Sequence, residues 1–277
     1  MASMKSQPSS RAEPFVNSTL SQTQRMRPIV LATLILTLAP TSFLSAQQIN
    51  DRAVLTRRKV ILTRPPAVVR HFPQRKRALV SYPVISGLSD PRVLRKVKNL
   101  VSVKNVFGYS LNEYRTDTWL EEFDYEVNHN GNFILDLTFT QVGSAAYPDS
   151  QWKHFAINLK SGNQLKATDV FVAEKQAELA ALVDRKLKDE VSDLLLQAKR
   201  DLEQQDFQNV ADALELQKFE TQQLDDFSVG PNGITFLYDA GFPHVIEALE
   251  PEGRYFFSYS ELKPFIKRSG LLGQFVR

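Results

Sequence analysis

The strongest constraint on the fold is a strict alternation of apolar and polar residues on both sides of a short turn. Phe123, Tyr125 and Val127 alternate with Glu122, Asp124 and Glu126, and Phe133, Leu135, Leu137 and Phe139 repeat the pattern beyond Asn130-Gly131. A period of two puts the apolar set on one face of a strand, whereas a helix would scatter it around its axis. The segment therefore predicts an antiparallel hairpin, half-buried against a core and turning at Asn130-Gly131.

The same reading extends in both directions. Residues 79–85 predict a strand, and Ser89-Asp90-Pro91 starts a helix carrying Val93, Val97, Leu100, Val101 and Phe107 on one face. Phe155, Ile157 and Leu159 alternate again before the turn Ser161-Gly162-Asn163. Leu179, Val183, Leu187, Val191, Leu194, Ala198 and Leu202 then mark one stripe of a long helix. After a polar stretch, residues 227–230 and 234–238 form a second hairpin around Asn232-Gly233. Tyr255, Phe257 and Tyr259 continue the alternation, and Ser260 is expected to cap a last short helix through Phe265. Hairpins mixed with helices predict an α+β fold: antiparallel hairpins packed with one long and two shorter helices, in two sequential halves at 78–145 and 146–277.

Charge divides the chain differently. Residues 47–77 hold nine bases and one acid, while residues 78–277 hold 21 bases and 29 acids, so a +8 arm precedes a −8 body. Pro65, Pro66 and Pro73 interrupt the arm, which predicts an extended Pro-containing linker. Two roles stand open for it: a solvated tether, or an arm whose Arg57, Arg58, Lys59, Arg75, Lys76 and Arg77 contact an anionic membrane or wall surface. Nucleic-acid binding is not expected, because Phe72 is the arm's single aromatic residue and a stacking platform needs more.

Ahead of the arm, residues 29–39 read IVLATLILTLA, preceded by Arg25 and Arg27 and followed by Pro40 and Ser45-Ala46. A basic start, a short apolar run and a small residue at the end describe a secretory signal peptide, with cleavage expected between Ala46 and Gln47. Residues 1–46 are thus an N-terminal extension plus signal, with Met26 an alternative start. The expected location is periplasmic or secreted. An uncleaved signal would instead leave the protein anchored in the membrane.

The chain has no cysteine, which excludes disulfides, thiolate zinc sites, iron–sulfur clusters and cysteine nucleophiles. Its four histidines are widely separated, and no metal-binding His pair, nucleophile elbow or phosphate-cradling glycine loop occurs. His129 is read in a turn and His154 on the outward, solvated side of a strand, with Asp124 and Glu126 likewise on a solvated face. No catalytic residue, metal or cofactor is expected. One loop stands out: Tyr238, Asp239, Phe242 and His244 place two aromatics, a carboxylate and an imidazole beside Gly241 and Pro243, a composition suited to recognising a partner or a sugar ring. An alternative, hydrolytic reading would use Asp239 and His244.

The order of elements resembles a known family. Asn158 to Gly162 (NLKSG), Asp169 to Phe171 (DVF), Gly233 to Phe236 (GITF) and Tyr259 to Leu262 (YSEL) resemble the recurring marks of a bacterial extracytoplasmic domain of unknown function. That domain ends RsiV-type anti-sigma factors and accompanies PdaC-type peptidoglycan deacetylases. The likeness covers 147–267, and residues 79–145 look like its usual companion half. It implies an envelope-facing α+β module, in some members sensing a lysozyme-like muramidase. The expectation is an exported binding module recognising an envelope protein, such as a wall enzyme, or a wall glycan. The alternatives are a single-pass membrane sensor and a peptidoglycan-modifying hydrolase.

Overall fold

The computed structural model describes residues 51–145, 147–243 and 246–277. The signal segment, the bond between Ala46 and Gln47, the alternative start at Met26 and His244 lie outside them.

The first sheet has six strands in sequence order: β1 (Val54–Thr63), β2 (Arg77–Ser86), β3 (Leu120–Gly131), β4 (Ile134–Ser144), β5 (Pro148–Asn158) and β6 (Asn163–Gln164). Neighbours are antiparallel except β2 and β3, which run parallel with Val80 opposite Phe123. Three helices carry that crossover: α2 (Pro91–Leu100), α3 (Val103–Phe107) and α4 (Leu111–Thr116), while α1 (Pro66–His71) joins β1 to β2. The second half adds α5 (Ala167–Val170), the long α6 (Gln176–Asp201), α7 (Gln204–Glu215), a three-stranded antiparallel sheet of β7 (Phe227–Val229), β8 (Gly233–Leu237) and β9 (Arg254–Ser258), and α8 (Tyr259–Leu262). The fold is α+β. No helix among the described residues is long and apolar enough to cross a membrane.

Local chemistry sets the boundaries. Asp90 caps α2 by accepting from the Arg92 amide at 2.7 Å, with Pro91 in the first turn. The single helix expected from Val93 to Phe107 is divided, because Ser102 takes an extended conformation and caps α3, accepting from the Asn105 amide. The last helix is capped by Ser258 rather than by Ser260, since Ser258 pairs reciprocally with Glu261 in a capping box.

Two cores lie on opposite faces of the first sheet. On one face Val80, Phe123, Leu135, Leu137, Phe139 and Ile157 pack with Val97 and Val106. The residues between them in sequence, Ile134 and Ala156, belong to the second core with Phe171, Leu187, Phe227, Phe236 and Phe257. Strand β4 is therefore covered on both sides, and each large apolar side chain so buried contributes roughly 1.5–3 kcal/mol. The division expected at residue 146 falls between β4 and β5, which pair along their whole length from Ile134–Asn158 to Ser144–Pro148.

The basic arm is the main correction. Instead of an extended linker across 47–77, β1 pairs antiparallel with β2, placing Val60 opposite Val80 and Leu62 opposite Ala78. The two prolines do not prevent this, because they follow the strand and open α1, where Pro65 is the cap and Pro66 the first helical residue. The hairpin turn also moves. β3 continues through Asn130 and Gly131, since the Asn130 side chain exchanges hydrogen bonds with the Ala53 amide and carbonyl at 2.9 and 2.8 Å. The reversal comes at Asn132 and Phe133, with φ of 53° and 61°. These are the two positive values a two-residue hairpin turn requires.

Candidate functional site

Beside the second core, where the first sheet meets the three-stranded sheet, a cavity of about 180 Å³ opens among Asn128, Thr138, Trp152, Ser228, Thr235 and Arg254, with Leu237 at its apolar end. Six strands contribute: β3, β4 and β5 from the first sheet, and β7, β8 and β9 from the second. Strands rather than loops hold every lining residue, which favours a fixed geometry.

The floor is organised by Asp136, whose side chain is fully buried. Its Oδ1 lies 2.6 Å from His154 Nε2 and accepts from Asn128 Nδ2 at 2.8 Å and Ser228 Oγ at 3.0 Å, while Oδ2 accepts from the Val229 amide at 2.7 Å. A buried carboxylate is tolerable only when so satisfied. Its contacts join β3, β5 and β7 to β4, fixing the two sheets against each other. Asn128 reaches this position because β3 carries a bulge between Val127, opposite Leu137, and His129, opposite Asp136. The extra residue is Asn128 itself, and a bulge re-aims its side chain.

Above the floor the polar atoms are divided by role. Asn128 Nδ2 donates to Asp136 and also to Thr138 Oγ1 at 2.8 Å, so its Oδ1 remains an acceptor and the Thr138 hydroxyl remains a donor. Ser228 donates downward and keeps acceptor capacity. Trp152 is 40% exposed at the rim, and Phe256 lies 48% exposed beside Thr235 on the neighbouring strand. Among the described residues, those with an ion pair or hydrogen bond to the Arg254 side chain are none. The site offers a polyhydroxyl-compatible floor, one aromatic plate and one cation. Among the described residues no cluster of His, Asp and Glu is placed to hold a metal.

The described residues of the loop singled out in sequence are elsewhere. Tyr238 points inward: its hydroxyl donates to Gln217 Oε1 at 2.6 Å and accepts from the Lys218 amide, and burial raises its pKa. Asp239 is exposed but accepts from the Gly241 amide in a local turn, and Phe242 is half-buried against the second core. These side chains do not converge.

Some of the arm's cations are occupied within the fold and others are not. Arg57 pairs with Asp124, donates to the Tyr125 carbonyl at 2.6 Å and lies 4.3 Å from the Tyr125 ring centre. Arg58 sits over Tyr82, and Arg75 donates to the carbonyls of Thr118 and Ala145 and to Ser144 Oγ. Lys59, Lys76 and Arg77 are exposed. Arg64, not singled out, is 3% exposed and donates to the carbonyls of Asp117, Arg75, Arg77 and Leu120. His154, read as solvated, is buried instead, because β7 covers the face of β5 on which it lies. No periodicity within β5 could reveal that cover. The period-two pattern of β4 did place Asp136 opposite the apolar set, and a single acid on a strand this apolar was the available signal.

No family model and no curated protein matches the chain. Two solved structures are similar to it. One is a DUF3298 family member from Bacteroides fragilis, with TM-score 0.48 and 12% identity over 82% of this chain and 99% of that one. The other is a DUF3298 family protein from Pseudomonas aeruginosa PAO1, with TM-score 0.45 and 11% identity over 78% of this chain and 94% of that one.

Proposed function

We propose that the protein is an exported, envelope-associated binding module and that the cleft between its sheets holds a unit of wall glycan. The observation that carries this reading is the exposed Trp152 beside a rigid floor of amide and hydroxyl groups. An aromatic face packs against the apolar face of a sugar ring while hydroxyls exchange hydrogen bonds with the floor. Export is supported by the basic and apolar run ahead of Ala46, and an envelope setting by the resemblance of residues 147–267 to the extracytoplasmic domain of RsiV-type proteins.

The test is co-sedimentation of the protein with insoluble peptidoglycan, with Trp152→Ala beside it. Retention of the native protein and loss in the variant are expected, and equal behaviour of the two overturns the assignment to the cleft. A second reading, recognition of a cationic wall enzyme, is favoured by the −8 charge of residues 78–277, which would steer such a partner. Binding to lysozyme at low salt that weakens as salt rises is its expected signature, and salt-independent or absent binding rejects it.

A further inference from the structure

Resting on the glycan reading, we propose that the cleft selects a sugar bearing a carboxylate, with Arg254 as the anchor for that group. The alternation of β9 sends Tyr255 and Phe257 into the second core and leaves Arg254 and Phe256 on the opposite face. Arg254 stands opposite Leu237 of β8 and lines the cleft with Trp152 and Thr235.

Three arginines of the first half are committed within the fold. Arg57 has Asp124 and the Tyr125 carbonyl, Arg64 has four backbone carbonyls, and Arg75 has two carbonyls and a hydroxyl. The Arg254 side chain has no ion pair or hydrogen bond among the described residues. Its planar fork matches a carboxylate through two parallel bonds.

The buried Asp136 does not neutralise it. That carboxylate is wholly shielded and turned to four donors of the floor, so its acceptors do not face the ligand. What remains toward the cleft is the acceptor Asn128 Oδ1, the hydroxyls of Thr138 and Thr235, the acceptor side of Ser228, one aromatic plate and one cation. This pattern fits a neutral polyhydroxyl ring carrying a single negative group. One cation in a body of net −8 favours a monoanion over a dianionic phosphate.

The test is calorimetric titration of the full protein with three tetrasaccharides sharing a β-1,4-linked N-acetylglucosamine backbone. One is neutral, one carries lactyl ether carboxylates on alternate rings, and one carries a phosphate monoester. The carboxylate form is expected to bind at least about tenfold more tightly than the neutral one, the strength of a charge-assisted hydrogen bond. Arg254→Gln, a surface change, should abolish that difference, and Trp152→Ala should weaken both forms together. Equal affinity for neutral and carboxylate forms, a preference for phosphate, or an indifferent Arg254→Gln overturns the carboxylate assignment and leaves the glycan reading standing. Absence of binding by all three overturns both.

Discussion

His154 Nε2 approaches Asp136 Oδ1 to 2.6 Å, and the two side chains are 5% and 0% exposed. Because Asp136 also gathers Asn128, Ser228 and the Val229 amide, its removal leaves four polar groups without their acceptor. Asp136→Ala should destabilise the protein by about 3–5 kcal/mol, the range for breaking a buried pair from one side. Urea unfolding followed by circular dichroism measures it. A loss under about 1 kcal/mol, the level of one ordinary hydrogen bond, would mean the carboxylate does not hold the sheets together.

The basic arm separates into structural and free cations. Arg64→Lys should cost about 2–4 kcal/mol, since an ammonium cannot reach four carbonyls that a planar fork serves, and each orphaned acceptor is unfavourable. Lys59→Gln, on the exposed face of β1, should stay within about 0.5 kcal/mol of the native protein. Thermal melts of the two variants side by side make the comparison, and equal midpoints would contradict it.

At Gly233 the backbone of β9 and the ring of Phe256 come too close for any side chain. A Cβ there would meet the Phe257 carbonyl oxygen at 2.1 Å and the Phe256 ring at 2.8 Å. Gly233→Ala should therefore lose about 1–3 kcal/mol through forced displacement, and should also disturb the neighbouring Thr235. A wild-type melting temperature in this variant would show that the strand gives way freely.

Acid should loosen two helix starts. Hydrogen bonds from Ser110 and Ser258 hold Glu113 and Glu261 below the ordinary carboxylate range. A depressed native pKa contributes stability that is present above the unfolded value, near 4.3, and is lost as pH falls through the lower native value. The double variant Glu113→Gln, Glu261→Gln should thus show a shallower loss of stability on acidification from pH 5 to 3. Urea midpoints across that interval decide the matter, and parallel curves would rule it out.

Much of the fold was legible because period-two and helical patterns are local. The strand β2, the start of α2, the hairpin from Phe123 to Phe139, the long helix and the second hairpin all follow from spacing alone. What was not legible depended on partners distant in sequence. Strand β1 reads as a basic linker until β2 supplies its hydrogen bonds, and Arg64 reads as one more surface charge until four carbonyls surround it. Helix α7 reads as a polar stretch in the sequence, because it buries only a narrow stripe of Val210, Ala211 and Leu214. The cleft was the least visible element. Its floor depends on a one-residue bulge at Asn128 and on β7 crossing over β5, and neither leaves a periodic trace.

Strand β4, with Ile134 in one core and Leu135 in the other, has a consequence for how the chain can be divided. A cut at residue 146 would leave the N-terminal piece with β4 bare on one side and deprived of β5. The C-terminal piece would have no wall for its own core and no Asp136 for Ser228 and Val229. Neither piece is expected to fold alone, and one unfolding transition shared by both halves is the outcome that follows.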